Sequence, residues 1–207
     1  MADKKTSFHE HLKGEGEAEH LFNPKKGDKL HAEERLKELK PNILTKKLQL
    51  KPGEQVLDLG TGAGLFLEPL RREVGAPGKV IGTDISEEML CSAEAQFPDG
   101  LPENIMLKKN SPTELPLHRN SVDGVLMVCL LHELSAPEVL LREVRRVLKS
   151  SGRIVALDWK KQETEKGPPV DHRVSKQEAA TQFKGADFSS VVTQDWSENY
   201  YLLLSNC

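Results

Sequence analysis

Cysteine is scarce in this chain. Its 207 residues include three, Cys91, Cys129 and Cys207, and no two of them form a C-x-x-C pair. An odd count without such a pair argues against a disulfide framework and for a reducing compartment, so a cytoplasmic location is expected. An excess of positive charge is also missing. Lys and Arg total 29 against 32 Asp and Glu, a formal net charge of −3, which gives no general attraction for nucleic acid or an anionic membrane. Long apolar runs are absent too: stretches such as Val125–Leu131 are far too short to cross a bilayer, so no integral membrane association is expected. The segment Met1–Lys13 is charged and lacks the apolar core of a signal peptide. No internal repeat or long low-complexity tract interrupts the chain, and 37% apolar with 29% charged residues is an ordinary globular mixture.

Residues 1–29 are rich in Lys, Glu, Gly and His with scattered apolar anchors such as Phe8, Leu21 and Phe22. Such a segment buries too little apolar area to offset its ordering entropy alone, so it is expected to be a tail or a lid that orders over a ligand. His9, His11, His20 and His31 have no established metal-ligand spacing and no cysteine beside them, so no metal is expected. From residue 30 to 207 a single domain is expected. Leu30, Leu36 and Leu39 mark a helix, Pro41 interrupts it, and Ile43, Leu44, Lys47 and Leu48 suggest a second short one.

After Lys51-Pro52-Gly53 strands and helices alternate. Gln55–Leu59, Lys79–Asp84, Ile105–Leu107, Gly124–Val128 and Arg153–Asp158 read as strands, apolar along their length. Helices are expected from Leu65 to Val74, after the cap Ser86, and after Ser135-Ala136-Pro137-Glu138, which carries the S-x-x-E capping-box pattern. Ser151-Gly152 is read as the end of that last helix. Apolar strands alternating with helices imply a mostly parallel sheet covered on both faces. The rhythm then breaks: residues 175–184 read as helix, and Ser189–Trp196 and Tyr200–Ser205 as an antiparallel hairpin.

In an open parallel sheet, ligands bind beyond the carboxyl ends of the strands. The first strand delivers Asp58-Leu59-Gly60-Thr61-Gly62-Ala63-Gly64 to that edge, and the second delivers Asp84. Glycines admit a tight turn and close ligand approach, while a carboxylate at Asp84 is placed to accept ribose hydroxyls. A dinucleotide loop of the form G-x-G-x-x-G, starting at Gly60, would need glycine where Leu65 stands. The D-x-G-x-G-x-G reading favours a nucleoside cofactor without phosphates at this turn.

Val56–Gly64 resembles motif I of the class I S-adenosylmethionine-dependent methyltransferases, and Ile81–Ser86 resembles their ribose-binding acidic motif. Leu148–Arg153 is similar to the stretch before the fifth strand, where the family usually has Pro-Gly-Gly. Leu131-His132-Glu133-Leu134, Asp158–Lys161 and Gly167-Pro168-Pro169 resemble the compact branch related to ubiquinone/menaquinone-type methyltransferases. The resemblance covers Leu30 to Asn206. It implies an α/β Rossmann-like fold with a seven-stranded, mostly parallel sheet, an antiparallel terminal strand and helices on both faces. It implies S-adenosyl-L-methionine as cofactor and a small-molecule methyl acceptor. Asp58, Gly60, Thr61, Gly62 and Gly64 are then expected at the methionine end, Asp84 at the ribose, Ile85 and Met89 around the adenosine, Asn110 and Ser111 beside the adenine, and Cys129 near the methionine part. The family commonly has an acid where Asn110 stands, which leaves the amide oxygen to accept from the adenine amino group.

Methyl transfer from a sulfonium is an in-line displacement in which alignment and water exclusion do much of the acceleration. A base is needed only where the acceptor must lose a proton, and His132, following the fourth strand, is the candidate. Asp158 and Trp159 are expected to line the acceptor pocket or to serve as a loop cap and a packed indole. The Asn/Asp-Pro-Pro-aromatic motif used by enzymes of this fold on planar amino nitrogens is absent; Val128–Leu131 stands there instead, which lowers the expectation of a nucleic-acid acceptor. A noncatalytic cofactor-binding relative and an NAD-dependent oxidoreductase are the alternatives, the latter disfavoured by Leu65 and the hairpin.

Overall fold

The computed structural model describes residues 33–207. The tail or lid expected over residues 1–29, its histidines and Phe22 lie outside the described residues. So does Leu30, the expected start of the first helix; that helix is described from Glu33 to Leu39 (α1) and is followed by a short helix Pro41–Leu44 (α2) that tightens into a 3-10 turn, Thr45–Leu48.

Seven strands form one sheet: β1 (Gln55–Leu59), β2 (Lys79–Asp84), β3 (Ile105–Lys109), β4 (Val122–Val128), β5 (Leu148–Trp159), β6 (Ser189–Asp195) and β7 (Tyr200–Asn206). Their order is β3-β2-β1-β4-β5-β7-β6. The pairs β1–β2, β1–β4, β2–β3 and β4–β5 are parallel, while β7 runs antiparallel to both β5 and β6. Four longer helices, α3 (Leu67–Val74), α4 (Glu87–Glu94), α5 (Pro137–Val147) and α6 (Lys176–Gly185), complete the layers.

Side-chain alternation along each strand explains why both faces are covered. Leu57, Leu59, Val125, Met127, Ile154 and Ala156 point to one face and pack with Leu140, Leu141, Val144 and Val147 of α5 and Phe183 of α6. Their neighbours Val56, Leu126, Val155 and Leu157 point to the other and pack with Leu39, Leu44, Leu67, Leu70 and Ala93. The chain steps outward from β1 through β2 to β3 and then returns to lay β4 on the other side of β1, which opens a crevice between β1 and β4.

Two local expectations are corrected. The helix α5 is capped by Ala136 without a side-chain hydrogen bond, so the capping box at Ser135 does not form; Pro137 simply opens the helix. A complete capping box occurs instead at α6, where Ser175 Oγ accepts from Glu178 N–H and Glu178 reaches back to the Ser175 N–H. Ser151-Gly152 does not end a helix: α5 stops at Val147 and β5 begins at Leu148. A register shift between Val122 and Gly124 on the partner strand absorbs this early start.

Candidate active site

The carboxyl ends of β1 to β5 and the beginning of β7 meet at one edge of the sheet. A cavity of about 1560 Å³ opens there, lined by residues from each of those ends except β3, whose successor Asn110 supplies that side. The residues at or just beyond these strand ends therefore follow one another across the cavity in sheet order: Asn110, Asp84, Gly60, Cys129, Trp159 and Tyr200.

The turn after β1 is built against its neighbours. Gly60 and Thr61 both donate their backbone N–H to Thr83 O at 2.9 Å. Gly60 has φ +71°, and a Cβ there would meet the Leu130 side chain at 3.1 Å. Gly64 has φ +83°, and its missing Cβ faces Leu67 and Ala93 at 2.9 and 3.0 Å. Gly64 therefore lets α4 approach the turn and does not line the cavity, a role different from ligand admission. Gly62, at φ +54°, lines it and donates its N–H to Asp84 Oδ2 at 2.9 Å.

Asp84 is held from both sides, with Oδ1 accepting from Ser86 N–H at 2.9 Å. Burial raises its carboxyl above the usual range, against the amide bonds from Ser86, Gly62 and Ile85. Asp58 lies behind the loop, 2% exposed, and accepts from the Thr61 hydroxyl at 2.6 Å. Burial pushes its carboxyl up to about 7; the Thr61 hydrogen bond opposes this and the Asp84 charge adds to it. Ile85 and Met89 line the cavity beside Asp84. Asn110 donates Nδ2–H to Ser111 O at 2.7 Å, while its Oδ1 is buried without a hydrogen-bond partner. Ser111 is exposed, accepts from Thr113 N–H and does not line the cavity, where Pro112 appears instead.

On the other side of the crevice, Cys129 sits at φ +54° just beyond β4, and burial pushes its thiol up to about 12, so it is neutral. His132 follows on a 3-10 turn (Leu131–Glu133). Its Nδ1 lies 2.7 Å from Asp158 Oδ1, its backbone N–H donates to Asp158 Oδ2, and its Nε2 lies 3.7 Å from Glu133 Oε1. Burial pulls the imidazolium down, but the hydrogen bond and charge of Asp158, aided by Glu133, outweigh it and leave the pKa above its ordinary value. Asp158 is 1% exposed and absent from the lining, so of the two β5 candidates only Trp159 faces the cavity.

Several lining residues escaped the sequence reading. Glu163, Thr164 and Glu165 belong to a loop after β5 that Arg173 fastens. Its guanidinium donates to Pro168 O, Lys160 O, Gln162 O and Thr164 Oγ1 at 2.7–3.1 Å and lies 5.1 Å from the centre of the Trp159 ring. Glu198 and Asn199 reach the site because β7 runs antiparallel, which puts the hairpin turn at the ligand edge; the hairpin was legible, and this consequence follows from it. Arg35 and Glu38 of α1 close the remaining side.

This fold and this edge define a family. Residues 50–205 match the methyltransferase domain family, and the chain belongs to it. A SAM-dependent methyltransferase from Aquifex aeolicus is 34% identical, with a TM-score of 0.84 over 89% of this chain and 98% of that one. A ubiquinone/menaquinone biosynthesis C-methyltransferase of Hahella chejuensis is 33% identical over 76% of this chain and 61% of its own length. An arsenite methyltransferase of Halobacterium salinarum is 33% identical over 53% of this chain and 28% of its own. The chain thus spans between 28% and 61% of these two curated relatives. Among the described residues no group of His, Cys, Asp and Glu is arranged to hold a metal, and no helix is long and apolar enough to cross a membrane.

Proposed function

We propose that this chain transfers a methyl group from S-adenosyl-L-methionine to a small-molecule acceptor. One observation carries the reading: Asp84 and Asn110, on adjacent strand ends, line the same cavity, where Asp84 brings a carboxylate and Asn110 a buried amide oxygen that no donor satisfies. A carboxylate suits two ribose hydroxyls, and an orphaned acceptor suits an exocyclic amino group, since leaving it unpaired costs about 1–3 kcal/mol. Gly60 and Gly62 leave the backbone open to the amino-acid end, and Ile85 and Met89 supply apolar walls for the purine. The cofactor, when bound, supplies an electrophilic methyl on a sulfonium.

The chain's own residues then orient and protect. Trp159 and the loop fastened by Arg173 cover the acceptor side and limit water. His132 accepts the acceptor's proton at Nε2, while Asp158 fixes the Nδ1–H tautomer and turns the ring. This arrangement favours acceptors that must shed a proton, such as phenols, enols or thiols. The few cysteines and the formal net charge of −3 support a cytoplasmic protein without a nucleic-acid partner. Calorimetry with S-adenosylhomocysteine, followed by methyl transfer from labelled cofactor to a panel of protic small molecules, tests it. Absence of affinity for that nucleoside ends the proposal; tight binding without turnover on any acceptor supports a noncatalytic relative.

A further inference from the structure

Arg35 faces the cavity with part of its guanidinium unpartnered. It lines the cavity from α1, and its Nε is buried without a hydrogen-bond partner. It makes no ion pair with another described residue. Glu38, one helical turn on, accepts at Oε1 from Asn199 Nδ2–H at 3.0 Å instead. The helix itself is fixed: Trp196 Nε1–H donates to Glu38 O at 2.9 Å, so the hairpin of β6 and β7 holds α1 against the cavity. Arg35 is close enough for its charge to act on Cys129, His132 and Tyr200. These lie at the ends of β4 and β7, across the crevice from Asp84 and Asn110.

We infer that Arg35 binds the α-carboxylate at the methionine end of the cofactor. The inference rests on the reading of the cavity as a site for S-adenosylmethionine. Asn110 and Asp84 fix the adenosine over β3 and β2, so the amino-acid chain leads across the turn after β1 towards Cys129, where Arg35 stands. A planar guanidinium with an unpartnered Nε is suited to a carboxylate fork. An anionic acceptor is the competing occupant, and the local charge disfavours it: the acceptor side is lined by Glu133, Glu163, Glu165 and Glu198 against one lysine, Lys166. Those carboxylates repel an anion arriving from the acceptor loop, whereas the cofactor brings its carboxylate as part of a molecule that also carries positive charge.

The test compares two ligands on the full chain by calorimetry, S-adenosylhomocysteine and its decarboxylated analogue, which keeps the nucleoside, thioether and amine. On the wild type, loss of the carboxylate is expected to weaken binding about 10- to 100-fold. Arg35→Met is expected to weaken S-adenosylhomocysteine by a similar factor and to leave the decarboxylated ligand within about threefold. Arg35→Lys, which keeps the charge without the fork, is expected to fall between, and it carries the same comparison if Arg35→Met does not fold. Equal losses for both ligands, or unchanged affinity for S-adenosylhomocysteine, overturn the inference. So does an Arg35 variant that raises only the KM of an acceptor. Wild-type protein that binds neither ligand removes the cofactor reading, a result separable from failure at Arg35 alone.

Discussion

His132 Nδ1 and Asp158 Oδ1 lie 2.7 Å apart, with the imidazole 8% and the carboxylate 1% exposed. Removing Asp158's charge should let burial dominate and bring the histidine's pKa down. If His132 is the base, kcat/KM rises with pH as the raised imidazolium loses its proton, giving an acid limb above the ordinary histidine value. Asp158→Asn is expected to move that limb to lower pH and to lower the alkaline plateau, because the ring loses its fixed tautomer. His132→Gln is expected to cost about 10²- to 10⁴-fold in kcat with little change in cofactor affinity. A pH–rate profile settles it: a limb that stays in place in Asp158→Asn removes the pair from the chemistry.

Asp58 predicts an unusual pH dependence of stability. Its folded pKa of about 7 exceeds its ordinary value of 3.8. The folded state therefore binds more protons between those values, and stability is lost as pH rises from 3.8 through about 7. Asp58→Asn keeps an acceptor for the Thr61 hydroxyl and removes the buried charge. Relative to wild type it should gain stability between pH 5 and pH 8, with a ceiling of about 3 kcal/mol. Urea denaturation at the two pH values measures the gain, and an equal difference at both would show that Asp58 is ionised throughout.

The layers of the sheet and the gathering of Gly60, Gly62 and Asp84 at one cavity were legible because both rest on short-range pattern. Apolar strands ending in Asp58-Leu59-Gly60 and Asp84 mark the edge where the cavity opens, and the hairpin gives the antiparallel strand. Pairings formed by tertiary approach were not. Nothing local says that Asp158 lies under His132, or that Gly64 answers to Ala93 and not to a ligand, since each partner comes from a distant element. Arg173 was silent for the same reason. A single buried arginine gives no periodic signal, and its partners are three carbonyls and a hydroxyl of a loop that only folding brings around it. Ser135 failed for a local reason: the chain places Ala136 at the cap position, one residue beyond the motif.

Asn110 should make the site selective for an aminopurine. Its unpaired Oδ1 accepts from an exocyclic amino group but opposes a carbonyl in the same place. The inosine analogue of S-adenosylhomocysteine is therefore expected to bind about 10- to 100-fold more weakly than the adenosine form. Asn110→Leu should narrow that gap while weakening the adenosine ligand. Equal affinities for the two purines in the wild type would place the amide away from the base edge.

Arg173 should separate acceptor handling from cofactor binding. Its guanidinium supplies four hydrogen bonds to the loop of residues 160–168 and lies near the Trp159 ring, while only 3% exposed. Arg173→Met leaves three carbonyls and a hydroxyl without this donor, and the loop then gains freedom at the acceptor side alone. Backbone amide exchange of residues 160–168 is expected to speed up, the acceptor KM to rise and kcat to fall. The affinity for S-adenosylhomocysteine should stay within about twofold, because sites without shared partners act nearly independently. Arg173→Lys should recover only part of the loss, since one ammonium cannot span a set of acceptors that a planar fork reaches together. If cofactor affinity falls in step with acceptor KM, the loop is part of one cooperative unit with the glycine turn, and the division of the cavity into two arms is wrong.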